Sequence, residues 1–363
     1  MSTSVRSPLV RINAVGTAVP SQDIHHAFIG WAERQIADDR ARAVFHRMAE
    51  RSGIHHRYSV LPARPDGGSP VTEGGFYAVT PLPPTSQRMA HYAHYAPALA
   101  LEAIESLRRH VALDTITHLV VASCTGFVAP GIDQIIATKM GLSPSVERLL
   151  VGFMGCYAAV SALRSARHIV RSDPDARVLV VTVELSTLHL QPDTEIEPLL
   201  AMLQFGDGAA AALVSATGAG LTIEAPFATT LKDSSDLIRW AIGDYGFAMH
   251  LSGQVPARIA DALRDPALVR TIAGDDPAAI EAWAVHAGGR SILDAVEHGL
   301  GLSANALARS RAVLADCGNM SSATLMFVLA RLFADAPKSG VALAFGPGLA
   351  AEGFQFRAVT ADA

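Results

Sequence analysis

The sequence predicts an α/β protein made of two copies of one unit, and three observations lead there. From residue 117 onward, apolar β-forming runs alternate with stretches of helical period, the pattern of a parallel or mixed sheet covered by helices on both faces. Three landmarks then recur in the same order. Gly141-Leu142-Ser143 and Gly301-Leu302-Ser303 each follow a helix. Cys156 and Asn319 each stand shortly before a long apolar helix, and Phe205-Gly206-Asp207-Gly208 and Phe345-Gly346-Pro347-Gly348 each lie beside a closing strand. Finally, 363 residues, 50% of them hydrophobic, are long for a single core. The halves divide as 1–218, carrying Cys156, and 219–363, carrying His286 and Asn319.

In chain order, residues 8–18 read as a first strand, and Pro20-Ser21-Gln22-Asp23 as a turn and cap before helical segments reaching Arg51. From Leu61 to Thr85 the composition shifts to Pro and Gly, a loop long enough to carry function. A helix from Ser86 to His110 follows, then a buried strand through Thr117–Ser123 ending in Cys124-Thr125-Gly126. Helix 132–140, strand 147–153, helix 156–171, strand 177–184 and a small-residue strand through Ala209–Val214 complete the first half. Residues 221–255 read as a strand and an irregular stretch. The second half then gives a helix, strand Ala282–Val285, helices 288–298, 304–315 and 320–334, and strands 340–345 and 351–358.

Bulk properties narrow the function. The net charge is −5 and the pI near 6.3, which argues against a nucleic-acid footprint. Mean hydropathy is high at +0.27, yet no apolar run reaches the roughly 18 residues of a membrane span, so the extra apolar surface points to a subunit interface. Met1-Ser2-Thr3-Ser4-Val5-Arg6 lacks the apolar segment of a signal peptide, which leaves the cytoplasm as the expected compartment. Three cysteines, Cys124, Cys156 and Cys317, with no C-x-x-C pair, indicate neither a disulfide framework nor a zinc site.

Chemistry centres on Leu149-Leu150-Val151-Gly152-Phe153-Met154-Gly155-Cys156-Tyr157, which reads as strand, tight turn and helix. A cysteine at the start of a helix sits among unpaired N–H groups, which favour thiolate over thiol and can lower its pKa. The bland alternative is a buried, inert thiol. A nucleophilic cysteine needs a base and an oxyanion donor. His286, closing Trp283-Ala284-Val285, suits the base, although one of 14 histidines can equally be a filler. Asn319 suits the donor, with a helix N-cap as its alternative role. Basic residues gather at Arg40, Arg42, Arg47, Arg51 and Arg57, either as a solvated face or for phosphate recognition.

Taken together, Gly-Cys156-Tyr, Trp-Ala-Val-His286-Ala-Gly-Gly-Arg-Ser-Ile-Leu-Asp, Gly-Asn319-Met-Ser-Ser-Ala and Phe345-Gly-Pro-Gly resemble the type III polyketide synthases, the chalcone synthase family of the thiolase superfamily, in a bacterial-type version. The resemblance runs from about residue 8 to 358. It implies a thiolase-like duplicated αβαβα five-layer fold, a homodimer, and a catalytic triad of Cys156, His286 and Asn319. It further implies that Cys156 loads an acyl-CoA starter, with His286 keeping it as thiolate. His286 and Asn319 then hold the thioester oxygen of malonyl-CoA while it loses CO2, and repeated condensation ends in ring closure. The CoA thioesters are substrates, and no metal, flavin or nicotinamide is implied. By the same matching Phe205 is a gatekeeper between the CoA tunnel and the cavity, and Met249 stands where a second, usually phenylalanine, gatekeeper is found. Trp240 falls at a cavity-wall glycine of plant members, so a chalcone product is not expected. Thr187 and Ser321 match cavity-lining positions, Cys124 is either a starter-cavity residue or a structural thiol, and Arg47 and Arg51 match two of three CoA-phosphate contacts, the third being replaced by Val44. A flexible thioether at Met249 and the bulk of Trp240 suggest an aliphatic starter and an alkylpyrone or alkylresorcinol product. The nearest rival is a single condensation of the β-ketoacyl carrier-protein synthase III kind; a cysteine hydrolase or a non-catalytic binding protein are more distant ones.

Overall fold

The computed structural model describes residues 8–62 and 68–361. The N-terminal segment read against a signal peptide, and Pro65 and Gly67 of the long loop, lie outside the described residues. Two sheets form the frame. The larger runs, in spatial order, Ala358–Val359, Gly220–Thr222, Arg11–Ala18, Asp207–Ser215, Val178–Leu185, His118–Ser123 and Glu147–Gly152. The smaller runs Ala282–Val285, Gly340–Gly346, Ala350–Phe356 and Glu224–Thr230. Four neighbouring strands of each sheet share one pattern. Arg11–Ala18 pairs antiparallel with Asp207–Ser215, that strand antiparallel with Val178–Leu185, and that one parallel with His118–Ser123. Glu224–Thr230, Ala350–Phe356, Gly340–Gly346 and Ala282–Val285 repeat the same signs in the same order. The internal repeat is therefore structural.

Period-2 alternation along the strands explains the layering. In the larger sheet Val120, Ala122, Val178, Val180, Ala210 and Ala212 face one apolar cluster, while Leu119, Val121, Leu179, Val181, Ala209 and Ala211 face another. The first cluster also takes Ala284, Ala342 and Ala344 of the smaller sheet, so it lies between the two sheets. It is filled by the helices Ala158–Ser172 and Ser322–Leu332. Thr85–Arg108 covers the outer face of the larger sheet, and Val255–Ala262, Pro266–Ala273 and Arg290–Gly299 cover that of the smaller one around Trp283, Val285, Val341 and Leu343. Helix, sheet, helix, sheet, helix is the five-layer αβαβα order.

The glycine landmarks close their helices alike. Gly141 and Gly301 take φ of +66° and +63°. In both, the following leucine N–H reaches back five residues, Leu142 to Ala137 O at 3.0 Å and Leu302 to Glu297 O at 2.9 Å, the Schellman closure that a glycine C′ allows. Residues 221–255, expected to be largely irregular, contain a regular hairpin, Ile238–Gly243 with Gly246–Leu251. It lies outside both main sheets, and Ile242 at its tip is 58% exposed, so the burial alternation that would mark it as strand is blurred. Helix Ala308–Cys317 also starts later than expected, because Ser303–Leu307 make turns. Among the described residues, no helix is long and apolar enough to cross a membrane.

Candidate active site

Cys156 sits in a single 3-10 turn, Gly155–Tyr157, between the edge strand Glu147–Gly152 and the central helix Ala158–Ser172. The turn is tight. Phe153 has φ +59° and Gly155 φ +74°, and a Cβ at Gly155 would run into the Pro347 ring from the other half of the chain. Gly155 N–H donates to the Cys124 sulfur at 2.9 Å, so the turn is held from both sides.

Asn319 precedes the other central helix. Its Oδ1 accepts the Ser321 N–H at 2.8 Å, and since an amide N–H can only donate, this fixes the carboxamide with its nitrogen outward. Nδ2 donates to Gly288 O at 3.2 Å, two residues beyond His286. The Ser321 and Asn319 side chains both favour the ionised form of the Cys156 thiol. Asn319 is not the helix N-cap, a position held by Ser321; its oxygen instead fixes the Ser321 N–H just before the helix. Ser321 (φ +47°) and Leu349 (φ +47°) join Phe153 as strained non-glycine residues around one point, where such strain tends to collect at functional sites.

His286 follows the strand Ala282–Val285 and is anchored by its own N–H to Leu343 O at 2.8 Å. Both ring nitrogens are buried without a hydrogen-bond partner. Burial pushes the imidazole down to about 3. It also pushes the Cys156 thiol up to about 12, and the hydrogen bonds from Ser321, Asn319 and the turn's own N–H only partly oppose it. The expectation that the helix start lowers this pKa is corrected here: the amide contribution exists, but desolvation in a site where Cys156 is 6% exposed is larger. Neither group ionises readily alone.

Beside this cluster lies a cavity of about 370 Å³. Thr187, Phe205, Trp240 and Met249 line it as expected, and the long loop adds Pro70, Val71 and Tyr77. Trp240 and Met249 face each other across the hairpin. Ser321 and Cys124 do not line it: the Ser321 side chain acts on the Cys156 thiol, and Cys124 supports the Gly155 turn. The Thr187 hydroxyl is engaged by buried Asp207 at 2.7 Å. Arg47 and Arg51 are exposed, on the helix Asp39–Glu50 and its C-cap. Cys317 is buried at the end of Ala308–Cys317, away from the cavity lining.

Three residues that the motifs did not single out complete the site. Buried Arg57, noted only as part of the basic cluster, donates to Phe205 O at 2.6 Å, Met202 O at 3.2 Å and His25 Nδ1 at 3.1 Å. His189 accepts the Phe247 N–H on Nδ1 at 3.0 Å, which leaves Nε2 to donate to Thr125 O at 2.7 Å and makes the ring neutral. Glu184 accepts from Cys124 N, Thr125 Oγ1 and Ser322 Oγ, and burial pushes it up to about 7. A glutamate closing the run Val178–Leu185 was the available signal for the last of these.

A doubled α/β scaffold of this five-layer order is that of the thiolase-like condensing enzymes. The family model described as chalcone and stilbene synthases, N-terminal domain, matches residues 3–218, and its C-terminal counterpart matches residues 223–360. The chain belongs to this family. It is 36% identical over 252 residues to an alpha-pyrone synthesis polyketide synthase-like protein of Mycobacterium tuberculosis, a match covering 66% of this chain and 64% of that protein. The chain thus spans a little under two thirds of that relative's length. It is 31% identical to bisdemethoxycurcumin synthase of Oryza sativa, over 97% of this chain and 93% of the relative. Among solved structures it is similar to PKS-I of the brown alga Ectocarpus siliculosus, with a TM-score of 0.86 and 30% identity over 98% of this chain and 100% of the other.

Proposed function

We propose that the chain is a type III polyketide synthase that loads an acyl-CoA starter on Cys156 and extends it with malonyl-CoA. The observation that carries this reading is Asn319, whose Nδ2 donates to the Gly288 carbonyl beside His286, whose side chain favours the ionised form of the Cys156 thiol, and whose backbone is bridged to the cavity residue Phe205. In loading, the Cys156 proton passes to His286, the sulfur attacks the thioester carbon, and CoA leaves as the thiol, taking the proton. Malonyl-CoA then sheds CO2, and the enolate oxygen is held by N–H donors from His286 and Asn319 Nδ2. The carbanion attacks the acyl-Cys156 carbonyl, freeing the sulfur and leaving a chain two carbons longer on CoA. Loss of CO2 drives the step. Exposed Arg47 and Arg51 meet the CoA phosphates, and Phe205 stands between the site and the cavity.

The starter is an aliphatic acyl-CoA and the product an alkylpyrone or alkylresorcinol, a reading supported by the apolar wall of Phe28, Leu61 and Val71 and by the pyrone-synthesis relative. A homodimer is supported by the edge strand Glu147–Gly152, where Leu149 and Leu150 are 43% and 45% exposed. Free cysteines at all three positions suit a reducing compartment such as the cytoplasm. Mass spectrometry of products from a panel of acyl-CoAs with malonyl-CoA tests the reading. Conversion of fatty acyl-CoAs to pyrones or resorcinols is the expected result. Aromatic starters alone being used would remove the aliphatic assignment, and a single condensation dependent on a carrier protein would remove the polyketide reading.

A further inference from the structure

Buried Arg57 packs against the two glycines that flank the bridge between Phe205 and Asn319. A Cβ on Gly318, just before Asn319, would come within 2.8 Å of Arg57 Cγ, and one on Gly206, just after Phe205, within 3.5 Å of Arg57 Cβ. The guanidinium closes on the same segment. Its Nη1 donates to Phe205 O at 2.6 Å and to Met202 O at 3.2 Å, at the C-terminal end of the helix Ile196–Gln204, where a cation is attracted by the last carbonyls.

Arg57 is itself held at every point. Its main-chain N–H donates to Asp23 Oδ1 at 3.3 Å and its carbonyl accepts the Ile24 N–H at 2.8 Å. Nε donates to His25 Nδ1 at 3.1 Å, the guanidinium carbon stands 4.7 Å from the centre of the Phe28 ring, and the residue is only 1% exposed. An N-terminal segment, residues 23–28, thus holds a side chain that holds residues 202–206, and main-chain hydrogen bonds join Gln204 and Gly206 to Asn319. The Asn319 carboxamide is fixed locally by the Ser321 N–H and Gly288 O. The position of its backbone therefore decides where Nδ2 stands.

We propose that Arg57 is a positioning residue for decarboxylation: it fixes the main chain of Phe205, and through the bridge that of Asn319, so that Nδ2 meets the enolate oxygen as it forms. This rests on the polyketide synthase reading above. Arg57 acts through Asn319 and not on a reacting atom. A donor misplaced by about 1 Å can lower a rate by about a hundredfold, so a clamp remote from the chemistry has leverage on it.

The test is a double-mutant cycle on the full chain, reading labelled CO2 released from malonyl-CoA by Arg57→Met, Asn319→Ala and the two combined. Arg57→Met keeps an unbranched stem and removes the guanidinium. Alone it is expected to lower kcat at least about tenfold and to leave KM for malonyl-CoA within about twofold. In the Asn319→Ala background the same substitution should change kcat by less than about twofold, because the group it serves is gone. If urea unfolding shows Arg57→Met to be unfolded, Arg57→Lys, which keeps the charge without the planar fork, carries the same cycle with the same expected non-additivity. Equal fold losses in the two backgrounds overturn the proposal, since they mark a role that does not pass through Asn319. So does a loss confined to KM, which places the effect on substrate entry. An unsubstituted chain that releases no CO2 from malonyl-CoA overturns instead the polyketide synthase reading, and this role with it.

Discussion

Asn319 and Phe205 are joined through their main chains: the Asn319 N–H donates to Gln204 O at 2.8 Å, and the Gly206 N–H donates to Asn319 O at 3.0 Å. One bridge thus carries the carboxamide of the reacting site and the ring in the cavity wall. Because the link is backbone, cutting the Phe205 side chain leaves Asn319 where it is. Phe205→Ala is expected to alter starter loading more than decarboxylation. Asn319→Ala should do the opposite, slowing malonyl-CoA decarboxylation by about a hundredfold or more, the usual effect of removing one oxyanion donor. Release of labelled CO2 measured beside acylation of Cys156 separates the two, and equal loss of both activities in both variants would break the argument.

Burial opposes charge on Cys156 and on His286 separately, so the proton transfer proposed above requires the two charges to form together. In His286→Ala only the desolvated thiol remains, with a pKa pushed up to about 12. Alkylation of Cys156 by iodoacetamide at neutral pH should then slow by at least about a hundredfold, since each unit by which a thiol pKa exceeds the pH costs about tenfold in thiolate. Equal alkylation rates in the two proteins would show that His286 does not partner the sulfur.

How far the sequence disclosed this arrangement depended on whether the signal was local. Ile132–Met140 and Ala282–Val285 fall at the expected residues, because in each an apolar period is bounded by glycine or by a change of period. Cys156, His286 and Asn319 were legible from motifs that are contiguous in the chain. Glu184 was not, since its partners Cys124, Thr125 and Ser322 lie about 60 and 138 residues away and nothing in the run Val178–Leu185 names them. Nor was the division of labour between Thr187, turned to Asp207, and Ser186, left free beside the cavity: neighbouring hydroxyls look alike until their hydrogen bonds are traced. The hairpin carrying Trp240 and Met249 escaped because it serves a cavity rather than a core, so its burial does not alternate cleanly.

His189 makes stability depend on pH in a defined direction. Burial pushes its imidazole down to about 3, below the 6.5 of an exposed group, so the unfolded chain takes up the proton first. Its contribution is complete above about pH 6.5 and is lost as the pH falls toward about 3. One such proton tilts the unfolding free energy by ~1.4 kcal/mol per pH unit. His189→Gln should therefore flatten the acid side of the stability curve by about that slope, whatever it costs at neutral pH. Urea titrations at about pH 6, 5 and 4 give the slope, and an unchanged slope would contradict the neutral assignment.

The helix that follows Cys156 is tied to the other half of the fold by an ion pair. Arg164 Nη2 lies 3.0 Å from Glu352 Oε2, which also accepts from Ser161 Oγ at 3.1 Å, joining Ala158–Ser172 to Ala350–Phe356. The Glu352 side chain is 9% exposed and that of Arg164 26%, so the value of a fully buried pair must be reduced for solvent screening. Glu352→Ala leaves the arginine without its counter-charge and is expected to cost about 2 kcal/mol in urea unfolding. A loss within about 0.5 kcal/mol would place the pair with ordinary surface ion pairs.

Trp240 is part of the cavity wall. It stands opposite Met249 in the hairpin, with its ring edge-on to His189 and Phe247 at 5.9 and 6.2 Å between centroids, while His189 and Phe247 stack at 4.2 Å. His189 is held by Thr125 O and the Phe247 N–H, so neither stacked ring can swing in when the indole is removed. Trp240→Ala should leave real space rather than a collapsed wall, since a site that cannot relax keeps its cavity. Bulky starters, aromatic acyl-CoAs among them, should then gain at least about tenfold in kcat/KM relative to slim aliphatic ones, the scale on which a pocket discriminates by size. Competition between decanoyl-CoA and an aromatic acyl-CoA, read from the product ratio, measures this directly. An unchanged ratio would mean that starter choice is not made at this part of the cavity wall.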